Sequence, residues 1–593
     1  MEQGSRMASR KRAAEQGSGA YTRRAGAMFQ SAGPMTRRAL FGQVPGAPEP
    51  GRGRRRWEVA RSIWLYPLSF LAGVSLAAVV VTYKLDLWHA RAAGLSFGAL
   101  LTDFSPEEAQ QIMGGVGEVI AAILGIVITV ASIIVQLAAN RYTPRITELF
   151  FRDRTNLAVM SFFVVSAVFS LWMNFSIRLG GPGSTAQPFV PHYGVLATMA
   201  LLSLSVLMMA PYFAYVFDFL EPDNVVGRIK ASGVAHAIRK ARPGDHDRTV
   251  DDRRLMALSS LEQLADIALN AIEKKDKGIA SKTVDSIGEL VVAYVPRKAD
   301  LDPRWFQIRG RLALDADFVS MNAEALGKIS STHTWLEYKA LRQLLMVYRE
   351  AVATMPDLIT RIAIDTRYIG QASIVAGDRD AVHVVVKFFN TYMRRALNAR
   401  DVAAAYNNLN QYRYLAEELL KAGWSQEVLE IARHFKYYAQ TAQGTGLSFL
   451  TETVAFDLCV LNELAYDLRT GARDELLRIF LEVDKEAEAE QQESSLRGVR
   501  KAQVKLATYY LQRSETALAR KIFRDMRDER PDRLRSIRAE MLAITSNEFW
   551  EINDRGGVFE YIEPDRRQYI HRFFEWFPPE VLRTPIRDEP TQD

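Results

Sequence analysis

The sequence predicts an all-α protein in two parts: a four-transmembrane-helix domain followed by a cytoplasmic α-helical repeat domain of solenoid-like build. Three observations carry this expectation. Four segments have the apolar length of a membrane helix, which takes roughly 20 residues, and all four precede Pro222. From about Val225 to Phe577 the chain turns charged and amphipathic, with no further run of that kind. In that second half, Gly and Pro fall between segments of helical period and β-branched alternation is scarce.

Residues 1–56 form the first unit, a disordered basic arm rich in Gly, Ser, Ala and Arg. They hold 12 basic and 3 acidic residues, leaving 63 and 66 for the rest of a chain whose net charge is +6. The high isoelectric point therefore belongs to the arm and not to the body. Such an arm marks the cytoplasmic side of a membrane protein, where Arg23-Arg24, Arg37-Arg38 and Arg54-Arg55-Arg56 are placed to hold anionic lipid headgroups. No nucleic-acid partner is expected. An Arg-rich, acid-poor start also fits a transit peptide, and no signal-peptide core is present.

The membrane domain is expected over 57–222. Its spans are about Ile63–Tyr83, Met113–Ala138, Leu157–Ile177 and Val195–Phe217, with aromatic residues such as Trp64, Trp88, Trp172, Tyr212, Tyr215 and Phe217 gathered near their ends. Loop charges alternate. The turn after the second span carries Arg141, Arg145, Arg152 and Arg154, whereas the stretch 178–194 has only Arg178. The positive-inside rule then places both termini and the 139–156 turn in the cytoplasm, in a multi-pass protein of a bacterial inner membrane. Pro211 falls inside the last span and is expected to loosen its end.

The second span is the most informative. Ser105-Pro106-Glu107-Glu108 has the pattern of a capping box with proline at the first helical position. Along the helix Glu118, Ala122, Gly125, Thr129, Ser132 and Gln136 recur at spacings of four and three, so they share one face. A carboxylate within a span is costly and must face a bundle interior or water, or be protonated. Two uses of the face are expected: close packing of helices through its small residues, or the wall of a conduction path in a homo-oligomer, with Glu118 as a cation-attracting ring.

The helical repeat is expected over 223–555, with a short helix and tail over 556–593. Leu506, Ala507, Tyr510, Ser514, Ala519, Phe523, Met526 and Pro531 stand at tetratricopeptide-like spacings. Looser echoes begin at Ala416 and Ala465, and the intervals between these starts exceed the roughly 34 residues of a strict array. An irregular solenoid with long helices is therefore expected, whose stacked hairpins suit either plain packing or a peptide-binding groove.

Chemistry is not visible. The eight histidines are scattered without metal-ligand spacing, and no phosphate loop, dinucleotide fingerprint or nucleophile elbow occurs. No catalytic, metal or cofactor-binding residue is expected, and no cofactor. The single cysteine, Cys459, reads as a small buried hydrophobe.

One stretch resembles a known family. Gln136-Leu137-Ala138 leads into Asn140-Arg141-Tyr142-Thr143-Pro144-Arg145 and then Phe150-Phe151-Arg152-Asp153-Arg154-Thr155-Asn156. This is similar to the bacterial predicted-membrane-protein family catalogued as domain of unknown function 2254, in which a helix ending Gln-Leu-Ala meets Ser/Thr-Pro-Arg and then Phe-x-Arg-Asp-Arg. The resemblance is specific over Gly117–Phe169 and extends over the membrane domain. The family's Ser-Pro-x-x-Asn-Asp-Pro stretch has no counterpart around Ala268–Thr283. It implies a bacterial membrane and carries no activity. The function expected is a membrane-anchored scaffold whose cytoplasmic repeats bind a protein partner; the alternative is an oligomeric ion channel or transporter built on the second span.

Overall fold

A computed structural model describes residues 105–582 apart from 142–144, 152, 179–189, 241–245, 485–488 and 549–554. The basic arm and the expected span Ile63–Tyr83 lie outside the described residues. Everything described is helical or irregular, without a strand.

Helix α1 (Pro106–Arg141) opens on the expected capping box: the Ser105 amide donates to Glu108 Oε2 at 3.0 Å, and the Glu108 amide donates to Ser105 Oγ at 3.2 Å. Its 36 residues extend about 54 Å at 1.5 Å per residue, well beyond a hydrocarbon core of about 30 Å. A short α2 (Arg145–Phe151) follows, then α3 (Arg154–Ser176) and α4 (His192–Leu220). Three of these helices, α1, α3 and α4, are long and apolar enough to cross a membrane, and they match the second, third and fourth expected spans. They pack on one another and leave Ile126, Ile133, Val165, Leu171 and Phe175 exposed, as lipid-facing side chains require. Pro211 does not end its helix; α4 runs on to Leu220 with Pro211 buried.

The face of α1 that enters the bundle is Ala109, Met113, Val116, Ile120, Ile123, Val127, Ala131, Val135 and Ala138, again at spacings of three and four. The row from Glu118 to Gln136 lies on the other side of the helix.

Glu221 alone separates α4 from α5 (Pro222–Ala237), so the helical half grows directly out of the last span. Helices α6 (Asp247–Glu273) and α7 (Lys277–Tyr294) pack with α5. An irregular stretch with short 3₁₀ turns, residues 295–314, leads to α8 (Ala323–Ser331). From there hairpins repeat: α9 (Trp335–Thr354), α10 (Asp357–Ala376), α11 (Arg379–Asn398), α12 (Val402–Lys421), α13 (Ser425–Gly444), α14 (Ser448–Asp467), α15 (Arg473–Leu481), α16 (Ala489–Gln512) and α17 (Thr516–Met526). They form two layers: α7, α10, α12, α14 and α16 stack in one, and α6, α9, α11, α13 and α15 in the other. Small residues set the closest crossings. A Cβ on Gly288 of α7 would sit 2.9 Å from Asp365 Cβ of α10, and one on Gly370 of α10 would sit 2.7 Å from Leu415 Cδ1 of α12.

The spacing of Ala507, Tyr510, Ser514 and Ala519 corresponds to the α16–α17 hairpin. Tyr510 and Ala519 are buried at the helix contact, and Ser514 takes the left-handed φ of +62° that turns the chain. Gly423 does the same at +77° between α12 and α13. After α18 (Pro531–Ala543), the chain returns through residues 555–567 to a last short helix, α19 (Gln568–Phe574), which packs on α16.

Candidate functional site: the junction of membrane helices and helical repeat

The strongest cluster of interacting polar side chains near the membrane helices gathers on Asp153. This residue is the N-cap of α3, in extended backbone, and its Oδ1 accepts from the amides of Thr155 at 2.9 Å and Asn156 at 3.3 Å. Capping explains an acid here, because the first amides of a helix have no partner within it. The same oxygen accepts the Tyr215 hydroxyl from α4, and Oδ2 lies 3.4 Å from Arg228 Nη1 of α5. One carboxylate thus links the start of α3, the end of α4 and the start of the helical half.

Neighbouring contacts repeat that connection. Asn156 donates to the Phe150 carbonyl at 3.2 Å and accepts the Tyr212 hydroxyl at 2.9 Å. Phe150 and Phe219 meet edge to face at 5.3 Å, and the Arg228 guanidinium sits 4.1 Å over the Phe219 ring, a cation–π contact. Lys274, at the end of α6, donates to the Asn140 carbonyl at 3.3 Å. Tyr212 and Tyr215, expected among the interfacial aromatics, are instead buried and spend their hydroxyls on this junction, whereas Trp172 and Phe217 are exposed.

The sequence-expected residues divide accordingly. Asp153 is at the centre and Asn140 takes part through its carbonyl. Arg154 is exposed at the first turn of α3, and Arg141 and Arg145 are the terminal residues of α1 and α2. Tyr142, Pro144 and Arg152 lie outside the described residues. Glu118, Thr129, Ser132 and Gln136, with Ala122 and Gly125, are all exposed on the outward side of α1. The expected close packing through that face is not made with α3 or α4, since a Cβ on Gly125 would meet nothing within 4 Å. The reason is competition between two faces of equal period: the larger apolar side chains bury more area and take the bundle side. Close approach occurs instead at Gly117, where a Cβ would lie 3.2 Å from Ser170 Oγ.

Tyr215, Arg228 and Lys274 were not singled out for this junction in the sequence. Arg228 lies in the second turn of α5, shortly after the last span, but nothing local pairs it with an acid 75 residues earlier.

Further along, charges are buried in clusters that join irregular segments to helices. Lys298 reaches Glu337 at 2.7 Å and Asp378 at 2.6 Å; Lys339 reaches Asp315, Asp317 and Glu262 at 2.8, 2.9 and 3.2 Å. Each ammonium is thus met by two or three carboxylates, the pairing that a buried charge needs. Among the described residues no three His, Cys, Asp or Glu side chains are arranged to hold a metal ion. Cys459 is buried, and burial pushes its thiol well above the usual range.

Comparison with known proteins agrees with the membrane half. Residues 60–258 match the family described as "Predicted membrane protein (DUF2254)", the family that Gly117–Phe169 resembles. The uncharacterized proteins Rv1290c of Mycobacterium tuberculosis and Mb1321c of Mycobacterium bovis are each 18% identical over 169 residues, which is 28% of this chain and 31% of theirs. The chain thus spans under a third of the length of these curated relatives. Among solved structures, a circular tandem repeat protein with novel repeat topology and enhanced subunit contact surfaces aligns over 81% of this chain and 97% of its own. Its identity is 14% and its TM-score 0.23, a value on which no fold assignment rests.

Proposed function

We propose that this membrane protein is an anchored scaffold whose helical repeat binds a protein partner, with the repeat and both termini on the cytoplasmic face of a bacterial inner membrane. The orientation rests on the alternation of loop charges. The observation that carries partner binding is the surface formed by α10 and α12. There the Arg367 guanidinium lies 4.6 Å from the Tyr368 ring and 5.7 Å from the Tyr414 ring, and both tyrosines are exposed. Tyrosine and arginine are the residues enriched at protein interfaces, and a rigid two-layer repeat presents them without ordering cost. The Asp153 junction supports the reading by coupling the repeat to the membrane helices.

The test is recovery of the full-length chain from native membranes in mild detergent. A partner at fixed stoichiometry, lost on Tyr368→Ala with Tyr414→Ala and retained on Gly125→Leu, supports the scaffold. Recovery of the chain alone, or a partner indifferent to the tyrosines, refutes it.

A second reading draws on the outward row from Glu118 to Gln136. Polar side chains on the outside of a span favour contact with another copy, and copies joined there would line a path with Glu118. Purified protein in planar bilayers decides it: a current whose selectivity changes in Glu118→Gln supports conduction, and silent membranes dismiss it.

A further inference from the structure

One end of the helical repeat stands against the membrane helices. Lys274, which ends α6, donates to the carbonyl of Asn140 in the last turn of α1 at 3.3 Å. The α6–α7 turn therefore lies where that apolar helix leaves the bilayer. Contacts place two further turns at the same end. Lys277 at the start of α7 pairs with Asp357 at the start of α10 at 2.5 Å, and Arg361 of α10 pairs with Asp285 of α7. Asn407, near the start of α12, donates to Thr360 Oγ1, near the start of α10, at 2.9 Å. The α6–α7, α9–α10 and α11–α12 turns thus form one edge.

That edge carries exposed cations. Helices α9 and α11 pack on one another, and Arg349, Arg394 and Arg395 lie in their final two turns. Lys275 and Arg400 stand at the apex of the first and third turns, with left-handed φ of +59° and +54°. All five are exposed, and among the described residues none of them makes an ion pair. Desolvation, and with it the guanidiniums of Arg395 and Arg342, holds Arg349 below the usual arginine range, so like charges face one another. The acids among them compensate little. Asp401 and Asp276 accept the Ala404 and Ile279 amides as caps, at 2.9 and 3.1 Å, which leaves Glu350 and Glu273 exposed. At their other ends α10 and α12 turn on Gly377 and Gly423, and the α13–α14 turn has Gly446. A cationic apex marks the two turns beside the membrane helices and not these neighbours.

We propose that this edge is a docking surface for the anionic headgroups of the bilayer that α1 crosses, with Lys275, Arg349, Arg394, Arg395 and Arg400 as its contacts. Charge complementarity calls for an anion, and continuity with the end of α1 selects lipid as its source. The contact is electrostatic and exposed, so salt weakens it. It leaves Tyr368 and Tyr414, on the layer of α10 and α12, open to a partner, and it does not depend on one.

The test uses the full-length chain in nanodiscs of phosphatidylcholine, with or without about 30% phosphatidylglycerol, each with a trace of headgroup-spin-labelled lipid. A fluorophore on Asn398→Cys reports the edge, and one on Ala422→Cys reports the far end of α12. Quenching at 398 should be about twofold or more stronger in the anionic discs and should fall to the phosphatidylcholine level in about 0.5 M salt. Arg394→Glu with Arg395→Glu should abolish the difference. Arg349→Gln with Arg400→Gln should reduce it, which covers the case in which charge reversal misfolds the chain. Quenching at 398 that ignores lipid charge, or that equals the value at 422, overturns the proposal. So does a 398 signal that responds to soluble poly-glutamate and not to phosphatidylglycerol, since the arginines would then belong to an acidic partner segment.

Discussion

The phenol of Tyr215 donates its hydrogen bond to the carboxylate of Asp153, so the residue that caps α3 also holds the end of α4, 62 positions later. The Arg228 contact on the other carboxylate oxygen is part-exposed and adds little by itself. Tyr215→Phe should therefore cost about 0.5–1.5 kcal/mol, the net worth of one hydrogen bond. Asp153→Ala also removes the cap and should cost about 2–3 kcal/mol. Thermal unfolding of the two variants in one detergent gives the ranking, and an equal or reversed order would refute the shared role of Asp153.

The two glycines of α1 should respond differently. Gly117 faces Ser170 at contact distance and Gly125 faces open space. Gly117→Leu should destabilise the bundle by about 1–3 kcal/mol, as overpacking does, while Gly125→Leu should leave the isolated chain's unfolding midpoint within error. A matched loss in both would mean that the Gly125 face is packed as well.

Glu452 supplies a pH signature. Burial pushes its carboxyl above the ordinary 4.5, and Glu560 and Glu540 add to this against Lys501 and Arg497. A carboxyl raised in the folded state contributes stability below its unfolded pKa and loses it as pH rises through the folded one. Glu452→Gln should accordingly be the more stable form at pH 7, and the two midpoints should converge near pH 4. A constant offset across that range would contradict the assignment.

Lys298 should be hard to replace. Glu337 is fully buried and accepts from the Lys298 ammonium, as does Asp378. Lys298→Met leaves two acids facing one another without their cation and should cost about 3–5 kcal/mol. Denaturant titration measures it, and a neutral result would show the cluster to be solvated.

Cys459 should be inert. With its thiol buried and held in the protonated form, a maleimide reagent should label the native chain only through unfolding and label it fully in denaturant. Rapid labelling of native protein would show that α14 opens locally.

Much of the architecture was legible in the sequence. The spans at Met113–Ala138 and Val195–Phe217 reappear within α1 and α4, that at Leu157–Ile177 reappears in α3 but for Ile177, which follows its last turn, and the capping box at Ser105 and Glu108 is made as its spacing implies. Hairpin turns at Gly423 and Gly377 could be read from glycine, which takes a left-handed φ without strain. Those at Lys275, Arg400 and Arg469 could not, because tertiary packing imposes that conformation on side chains that do not favour it.

The sequence by itself determined what is local: where helices begin, which of them are apolar enough for lipid, and that the second half is helical and stacked. Period and composition act over a few turns, so they survive without knowledge of neighbours. Only the tertiary structure decided which of two equally periodic faces of α1 enters the bundle, that Asp153 takes Tyr215 and Arg228 as partners, and that Lys298 meets Glu337 and Asp378. Each of those is a choice among many side chains distant in sequence, and it is settled by which surfaces bury the most apolar area while leaving no charge unpaired.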